Sequence, residues 1–362
     1  MVYNEFNMQI CFITPSLEKG GMERVLCELA NFGIKLGYSI SILCILPSRK
    51  VAYYLDPKVE VIEPTYHYAN NIIFKFKSLI YLIKHLNDIK PYTVLSFSET
   101  FNPMAISAGF LTQTPIFISD RSNPLKEVSR FKDLLKRSLY PQAQGLISQT
   151  SFAENIFRQK DFNKNIRTIP NPLRTTDYSD SLDSHLSKKV ILSMGRLVKS
   201  KNFDQLIRIF SRIENNDWKL WILGGGPERG MLENLIAKLN LEGKVTLKGE
   251  VEDPDFYFSK ASIFAFTSLS EGFPNALSEA MAFPLACISF DCNAGPSDII
   301  EDMKNGFLIP LDNEDLYLNR LKQLIDSEDL RTKLATEAIK NRQKFSPDNS
   351  SKKYFEFITT LK

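Results

Sequence analysis

The sequence predicts an α/β protein of two domains, each a parallel sheet wound with helices. Three observations carry that prediction. The chain has 362 residues, which at about 150 per domain is about two domains. Short apolar runs alternate with amphipathic stretches along most of the length, the pattern of strands covered on both faces. The alternation breaks at Ile169-Pro170-Asn171-Pro172-Leu173, where two prolines flank a turn residue and a polar stretch, 174–189, follows.

In the first half, residues 8–14 read as a buried strand. Residues 23–35 read as a helix with Val25, Leu26, Leu29, Phe32 and Leu36 on one face. Strands follow at 39–46, 93–97, 115–119 and 145–149. The second half repeats the alternation. Strands are predicted at 189–194, 219–223, 245–247, 263–267 and 285–290, and helices at 202–213, 228–239 and 276–283. The chain ends in helices, the last set off by Pro347.

Composition narrows the class. The hydrophobic fraction is 43% and the charged fraction 24%, values of a soluble globular chain. The most apolar segment, 72–83, is interrupted by Lys75 and Lys77 and falls short of the ~20 apolar residues of a membrane span. The run 8–14 has no basic start and follows Glu5, so a signal peptide is not expected. The five cysteines, Cys11, Cys27, Cys44, Cys287 and Cys292, show no zinc-like spacing and read as core thiols of a reducing compartment. The protein is expected in the cytoplasm. Residues 1–170 carry 20 Lys and Arg against 14 Asp and Glu, leaving 25 against 28 for the rest. That imbalance is too small for a nucleic-acid binder.

Four segments could carry chemistry. Gly20-Gly21 lies between the first strand and helix, where glycines let backbone amides approach a phosphate and the helix end adds positive charge. Its spacing is neither a dinucleotide fingerprint nor a P-loop. Gly195-Arg196 and Lys201 follow the first strand of the second half, where open parallel sheets bind ligands. An Arg fork and a Lys point charge can converge there on a diphosphate. Glu271-Gly-Phe273-Pro274-Asn275-Ala276-Leu277-Ser-Glu279 follows the 263–267 strand, and Pro274 forces the helix to begin near Asn275. Its two carboxylates can accept from sugar hydroxyls and its first amides can hold a phosphate. Gly224-Gly225-Gly226-Pro227 is a strand-to-helix turn that admits close backbone approach. Asp253-Pro254-Asp255 has the form of a metal-binding pair but reads as a helix N-cap with Pro at the first position. His67, His85 and His185 are scattered, and no hydrolase or metalloprotease grouping forms.

In their order and spacing these segments resemble glycosyltransferase family 4, of the GT-B fold, over essentially the whole chain. The resemblance extends to Gly295-Pro-Ser-Asp-Ile-Ile300, Asn305-Gly-Phe-Leu-Ile-Pro310 and the helix after Phe345-Ser-Pro347. It implies two Rossmann-like domains facing each other across a cleft. Residues 1–170 with 347–362 would bind the acceptor, and 171–346 the nucleotide sugar. Arg196 and Lys201 would neutralise the leaving diphosphate, Glu279 would hold the ribose, and Glu271 with Phe273, Pro274 and Asn275 would position the sugar. The Gly20-Gly21 amides would approach the donor phosphate, and 249–251, with Val251, would face the base. Gly195, Gly225, Ala276 and Leu277 complete the implied donor site. The family retains anomeric configuration and uses no metal or cofactor. One departure stands out: many members carry a histidine where this chain has Arg121, in Ile118-Ser-Asp120-Arg121-Ser-Asn123-Pro124, so Asp120 and Arg121 enter as candidate catalytic residues. Closure about the 169–173 hinge would exclude water.

Two stretches of the acceptor half bear on partners. Residues 71–90 carry a net charge of +3 and residues 121–140 one of +4, each among large apolar residues. Basic amphipathic helices of this kind lie on anionic membranes. A lipid-linked glycan acceptor is expected, with peripheral contact at the inner face of the plasma membrane. Glu99, Asn102 and Asn123 are its candidate contacts. The pattern is similar to bacterial transferases that build lipopolysaccharide and other surface polysaccharides, among them N-acetylgalactosaminyltransferases, and favours UDP. A GDP-mannose-type transferase, a UDP-sugar 2-epimerase and a non-catalytic nucleotide-sugar-binding protein are the alternatives. An NAD-dependent dehydrogenase is disfavoured by the wrong glycine spacing.

Overall fold

In a computed structural model of the chain, residues 8–18, 20–48, 50–65, 71–125, 129–173, 188–214 and 217–360 are described. Most of the polar stretch after Leu173, with His185, and also His67 lie outside them. The chain divides into two compact units, 1–172 with 347–362, and 173–346.

The first unit is a seven-stranded parallel sheet. Its strands are β1 (Gln9–Thr14), β2 (Ser39–Cys44), β3 (Glu60–Ile62), β4 (Thr93–Ser96), β5 (Ile116–Ser119), β6 (Gly145–Ser148) and β7 (Ile166–Thr168), in the order β3-β2-β1-β4-β5-β6-β7. Side chains alternate across it: Ile10 and Phe12 of β1 enter one core, Cys11 and Ile13 the other. Five helices follow strands in sequence, four of them α1 (Gly21–Lys35), α3 (Asn102–Thr112), α4 (Arg130–Leu139) and α5 (Ser151–Gln159). The fifth, α2 (Asn71–Ile89), precedes β4 and packs on α3. On α1, Val25, Leu26 and Leu29 are buried, but Leu36, expected on the same face, is 45% exposed at the helix end. The last helix, α13 (Pro347–Thr359), joins this unit and sets Tyr354, Phe355, Phe357 and Ile358 into the core of α1, β1 and β4. Each such buried side chain stabilises the unit by about 1.5–3 kcal/mol.

The second unit repeats the design with six parallel strands. They are β8 (Val190–Met194), β9 (Lys219–Leu223), β10 (Val245–Gly249), β11 (Ile263–Phe266), β12 (Ala286–Asp291) and β13 (Phe307–Pro310), ordered β10-β9-β8-β11-β12-β13. Their helices are α6 (Phe203–Ser211), α7 (Arg229–Lys238), α8 (Pro254–Phe258), α9 (Asn275–Ala280), α10 (Pro296–Ile299), α11 (Glu314–Asp326) and α12 (Glu328–Asn341). Asp253 caps α8, accepting from the Asp255 and Phe256 amides, with Pro254 in the first turn. All five cysteines are buried.

Both sheets run outward from a central strand pair, β1/β4 in one and β8/β11 in the other. At such a reversal of strand order the flanking loops diverge and leave a crevice at the carboxyl ends of the strands. Strand order therefore fixes where each unit can hold a ligand.

Candidate active site

At the β8/β11 reversal two loops are stitched together. Thr267 Oγ1, just past β11, donates to the Lys201 carbonyl at 3.1 Å and to the Asn202 carbonyl at 3.3 Å. The Leu269 amide donates to the Ser200 carbonyl at 2.8 Å. The Lys201 side chain runs along Gly195, whose missing Cβ would lie 3.3 Å from its Cδ and Cε. Its ammonium sits 5.6 Å from the centre of the Phe266 ring. It ends on Glu271, with Nζ 2.5 Å from Oε1, the two side chains 20% and 11% exposed. Arg196, in the same loop, is exposed and has no ion-pair partner among the described residues. Cys292 lies near enough to feel both charges, but burial dominates and pushes its thiol up to about 12.

The Glu271 loop is anchored from below. Phe273 is buried in the core, and Pro274 packs against Gly295, where a Cβ would fall 2.2 Å from the proline Cδ. Gly295 has φ +126°, a conformation open chiefly to glycine. Phe273 and Pro274, expected to position the sugar with Glu271, are buried and hold the loop that carries Glu271. The side chain of Leu277 is also core, so only its backbone faces outward chemistry. Glu279 lies one turn into α9, half-buried. By helix geometry the first amides of α9 have no partner within the helix.

The glycine turn after β9 packs backbone on backbone. At Gly224 a Cβ would fall 2.0 Å from the Gly195 carbonyl oxygen, and at Gly226 2.4 Å from that of Leu197. The Gly225 carbonyl accepts from the Leu197 amide at 2.8 Å. These glycines support the Arg196 loop from behind. Val251 is half-buried beyond β10.

The carboxyl ends of the first unit's strands hold a second set. The Glu23 carboxylate folds over Gly20, where a Cβ would meet its Oε2 at 2.1 Å, so the start of α1 beside exposed Gly21 is covered by the helix's own first turn. Burial raises the Glu23 carboxyl above its ordinary range, and the Arg121 charge draws it back. Arg121 Nη2 donates to Asn171 Oδ1 at 2.5 Å, and its guanidinium lies 5.4 Å from the Phe97 ring centre. Gln149 Nε2 donates to the same Asn171 oxygen.

Two expected contacts turn out to be internal. Asp120 is buried and accepts from Lys136 Nζ at 2.8 Å, Tyr140 O–H at 3.0 Å and Ser122 Oγ at 2.7 Å. A carboxylate so satisfied anchors α4 and is closed to substrate. Asn102, fully buried, accepts from the Ser98 amide and donates to the Ser119 carbonyl, tying the β4 loop to the end of β5. Glu99 and Asn123 instead line a cavity of about 490 Å³ with Lys75, Lys132, Phe131 and Lys160. Beside it α4 buries no residue, and Phe131 and Leu134 are 70% and 65% exposed.

Residues 175–341 match the family described as glycosyl transferases group 1. The chain is 30% identical over 350 residues to N-acetylgalactosamine-N,N'-diacetylbacillosaminyl-diphospho-undecaprenol 4-alpha-N-acetylgalactosaminyltransferase of Campylobacter jejuni, covering 91% of this chain and 92% of that one. The chain belongs to the group 1 glycosyl transferases. A second Campylobacter jejuni relative, GalNAc-alpha-(1->4)-GalNAc-alpha-(1->3)-diNAcBac-PP-undecaprenol alpha-1,4-N-acetyl-D-galactosaminyltransferase, is 28% identical over 98% of this chain and 99% of its own. Among solved structures, Anabaena Alr3699/HepE in complex with UDP superposes with a TM-score of 0.82, at 18% identity, over 98% of this chain and 100% of that one. The transferase therefore has the GT-B fold, with two parallel-sheet, Rossmann-like halves.

Within the second unit, the transferase brings together Gly195, Lys201 and Glu271, three of the residues singled out from sequence. Thr267 and Gly295 complete the arrangement and went unassigned. Thr267 looked like the last residue of an apolar strand, and Gly295 gave no sign of the proline it cradles. Glu23, Gln149 and Asn171 around Arg121 were missed in the first unit, since they lie far apart in sequence. Among the described residues no three His, Cys, Asp or Glu gather as a metal site would require.

Proposed function

We propose that the transferase moves a sugar, an N-acetylhexosamine or a hexose, from a UDP-sugar to a lipid-linked glycan during assembly of a bacterial surface polysaccharide. Anomeric configuration is retained and no metal ion is needed. The reading is carried by the Lys201–Glu271 pair at the β8/β11 reversal, where a cation for a diphosphate adjoins a carboxylate for sugar hydroxyls. The barrier to transfer is negative charge developing on the departing diphosphate. Fixed cations aimed at that charge supply the largest catalytic effect, about 10²–10³ in rate for each donor removed. Arg196 and Lys201 take that role. Glu271 holds the sugar, Glu279 the ribose, and the Ala276 and Leu277 amides the phosphate, the Asn275 amide donating instead to the Phe273 carbonyl at 2.9 Å. The acceptor hydroxyl passes its proton to the departing phosphate oxygen on the face the leaving group vacates.

The UDP-bound neighbour and the undecaprenyl-linked acceptors named for the two Campylobacter relatives support the substrate classes. The basic cavity of the first unit, with Glu99 and Asn123 and the uncovered apolar face of α4 beside it, supports a lipid-linked acceptor and a peripheral hold on an anionic membrane. No helix among the described residues is long and apolar enough to cross a membrane.

The test is a thermal shift with UDP, GDP, CMP and NAD, each with and without EDTA. Transfer from UDP-N-acetylgalactosamine, UDP-N-acetylglucosamine and UDP-glucose to undecaprenyl-diphosphate glycans follows, with NMR of the new linkage. A UDP shift that survives EDTA and an α-linked product are expected. A shift with GDP alone would move the reading to a GDP-sugar, and an inverted product would overturn retention.

A further inference from the structure

The site holds two groups with opposed duties in direct contact. The Lys201 ammonium must meet a diphosphate, yet it is bound to Glu271 at 2.5 Å. The Lys201 backbone is held by Thr267 and the neighbouring Ser200–Leu269 bond, and its side chain lies along Gly195 and beside the Phe266 ring. Glu271 rides on a loop locked by Phe273 in the core and by Pro274 against Gly295. Both side chains are largely covered, so solvent and salt screen the pair weakly.

We propose that Glu271 and the donor's diphosphate compete for Lys201, and that this competition makes the site favour the intact sugar nucleotide over the free nucleoside diphosphate. The inference rests on the diphosphate site read above. An arriving diphosphate takes Lys201 and leaves the Glu271 carboxylate without its cation, close to new negative charge. In the intact donor the sugar hydroxyls donate to Glu271 and offset that loss. In the free nucleoside diphosphate nothing does, and its terminal phosphate is more negative than the diester in the donor. Once the sugar has left, Glu271 recaptures Lys201 and expels the product. One carboxylate thus recognises the sugar and clears the site.

The experiment is calorimetric titration of the full chain with UDP, GDP and inorganic diphosphate. Glu271→Gln keeps the shape and removes the charge. It should bind UDP and inorganic diphosphate about tenfold or more tightly than the wild type, and UDP should become a correspondingly stronger competitor of the donor. In a Lys201→Ala background the same change should give a markedly smaller tightening, because the competition for the cation is gone and only the repulsion between carboxylate and diphosphate remains. Glu242→Gln removes an exposed carboxylate before the amino end of β10, away from the crevice at the carboxyl ends, and should leave UDP affinity unchanged. Equal affinity of wild type and Glu271→Gln, or tightening that is undiminished without Lys201 or also follows Glu242→Gln, would overturn the proposal. Tightening for inorganic diphosphate with UDP bound no better than GDP would leave the competition standing and overturn the UDP reading instead.

Discussion

Thr267 shows how one hydroxyl can set the position of a charge. Its Oγ1 serves two consecutive carbonyls, those of Lys201 and Asn202, so the Lys201 backbone cannot shift without stranding a buried donor. Thr267→Val keeps the shape and removes the donor. It should lower kcat about tenfold or more, while Thr267→Ser restores it. A purely structural role would lower the melting temperature in the valine variant and leave the rate of folded enzyme unchanged. Glu23 makes a different prediction. Burial raises its carboxyl above the ordinary 4.5, so the folded state binds that proton more tightly than the unfolded chain. Its contribution to stability is full below pH 4.5 and is lost as pH rises through the raised folded value. Glu23→Gln should therefore melt level with the wild type near pH 4 and about 2–4 °C above it at pH 8.

At the scale of elements, α4 is the exception among the first unit's helices. It has a strongly apolar side yet buries none of its residues, and is tied down through Lys136 to Asp120. A helix held by polar contacts, with Phe131 and Leu134 in solvent, has its apolar side available to something outside the fold. Replacing both by Ser should leave thermal stability unchanged within about 0.5 kcal/mol. It should reduce co-sedimentation with anionic vesicles and transfer to lipid-linked acceptors several-fold more than transfer to a soluble acceptor. Most elements were legible because their apolar runs are long and patterned: β1, β2, β8, β9, α6 and α7 lie within two residues of the sequence reading. The three-residue strands β3 and β7 were not legible. Each lies at the edge of its sheet, is too short for a period, and forms only because a neighbour offers free carbonyls and amides. The edge strand β13 ends in Pro310, a residue that argues against a strand except at an edge. Within the site, charged residues after strands were readable from the chain, because strand order alone sends them to the crevice. What Asp120 and Asn102 touch was not, since their partners come from other elements.

The whole molecule consists of two units with separate cores, so unfolding need not be a single transition. Calorimetry should resolve a second step, and UDP should raise the step that belongs to 173–346, by about 2.7 kcal/mol at a hundredfold excess over Kd. Uniform stabilisation of both steps would show the units to be energetically one. The chain path has its own consequence. The second unit is one continuous stretch, whereas the first needs α13, the last helix in the chain, to fill the space among α1, β1 and β4. On the ribosome, segments emerge in order and domains fold as they become complete. The half that is made first is finished last: residues 1–172 wait, with apolar surface unshielded, until residues 347–359 have been made. A truncation within 347–358 spares the later half and ruins the earlier one.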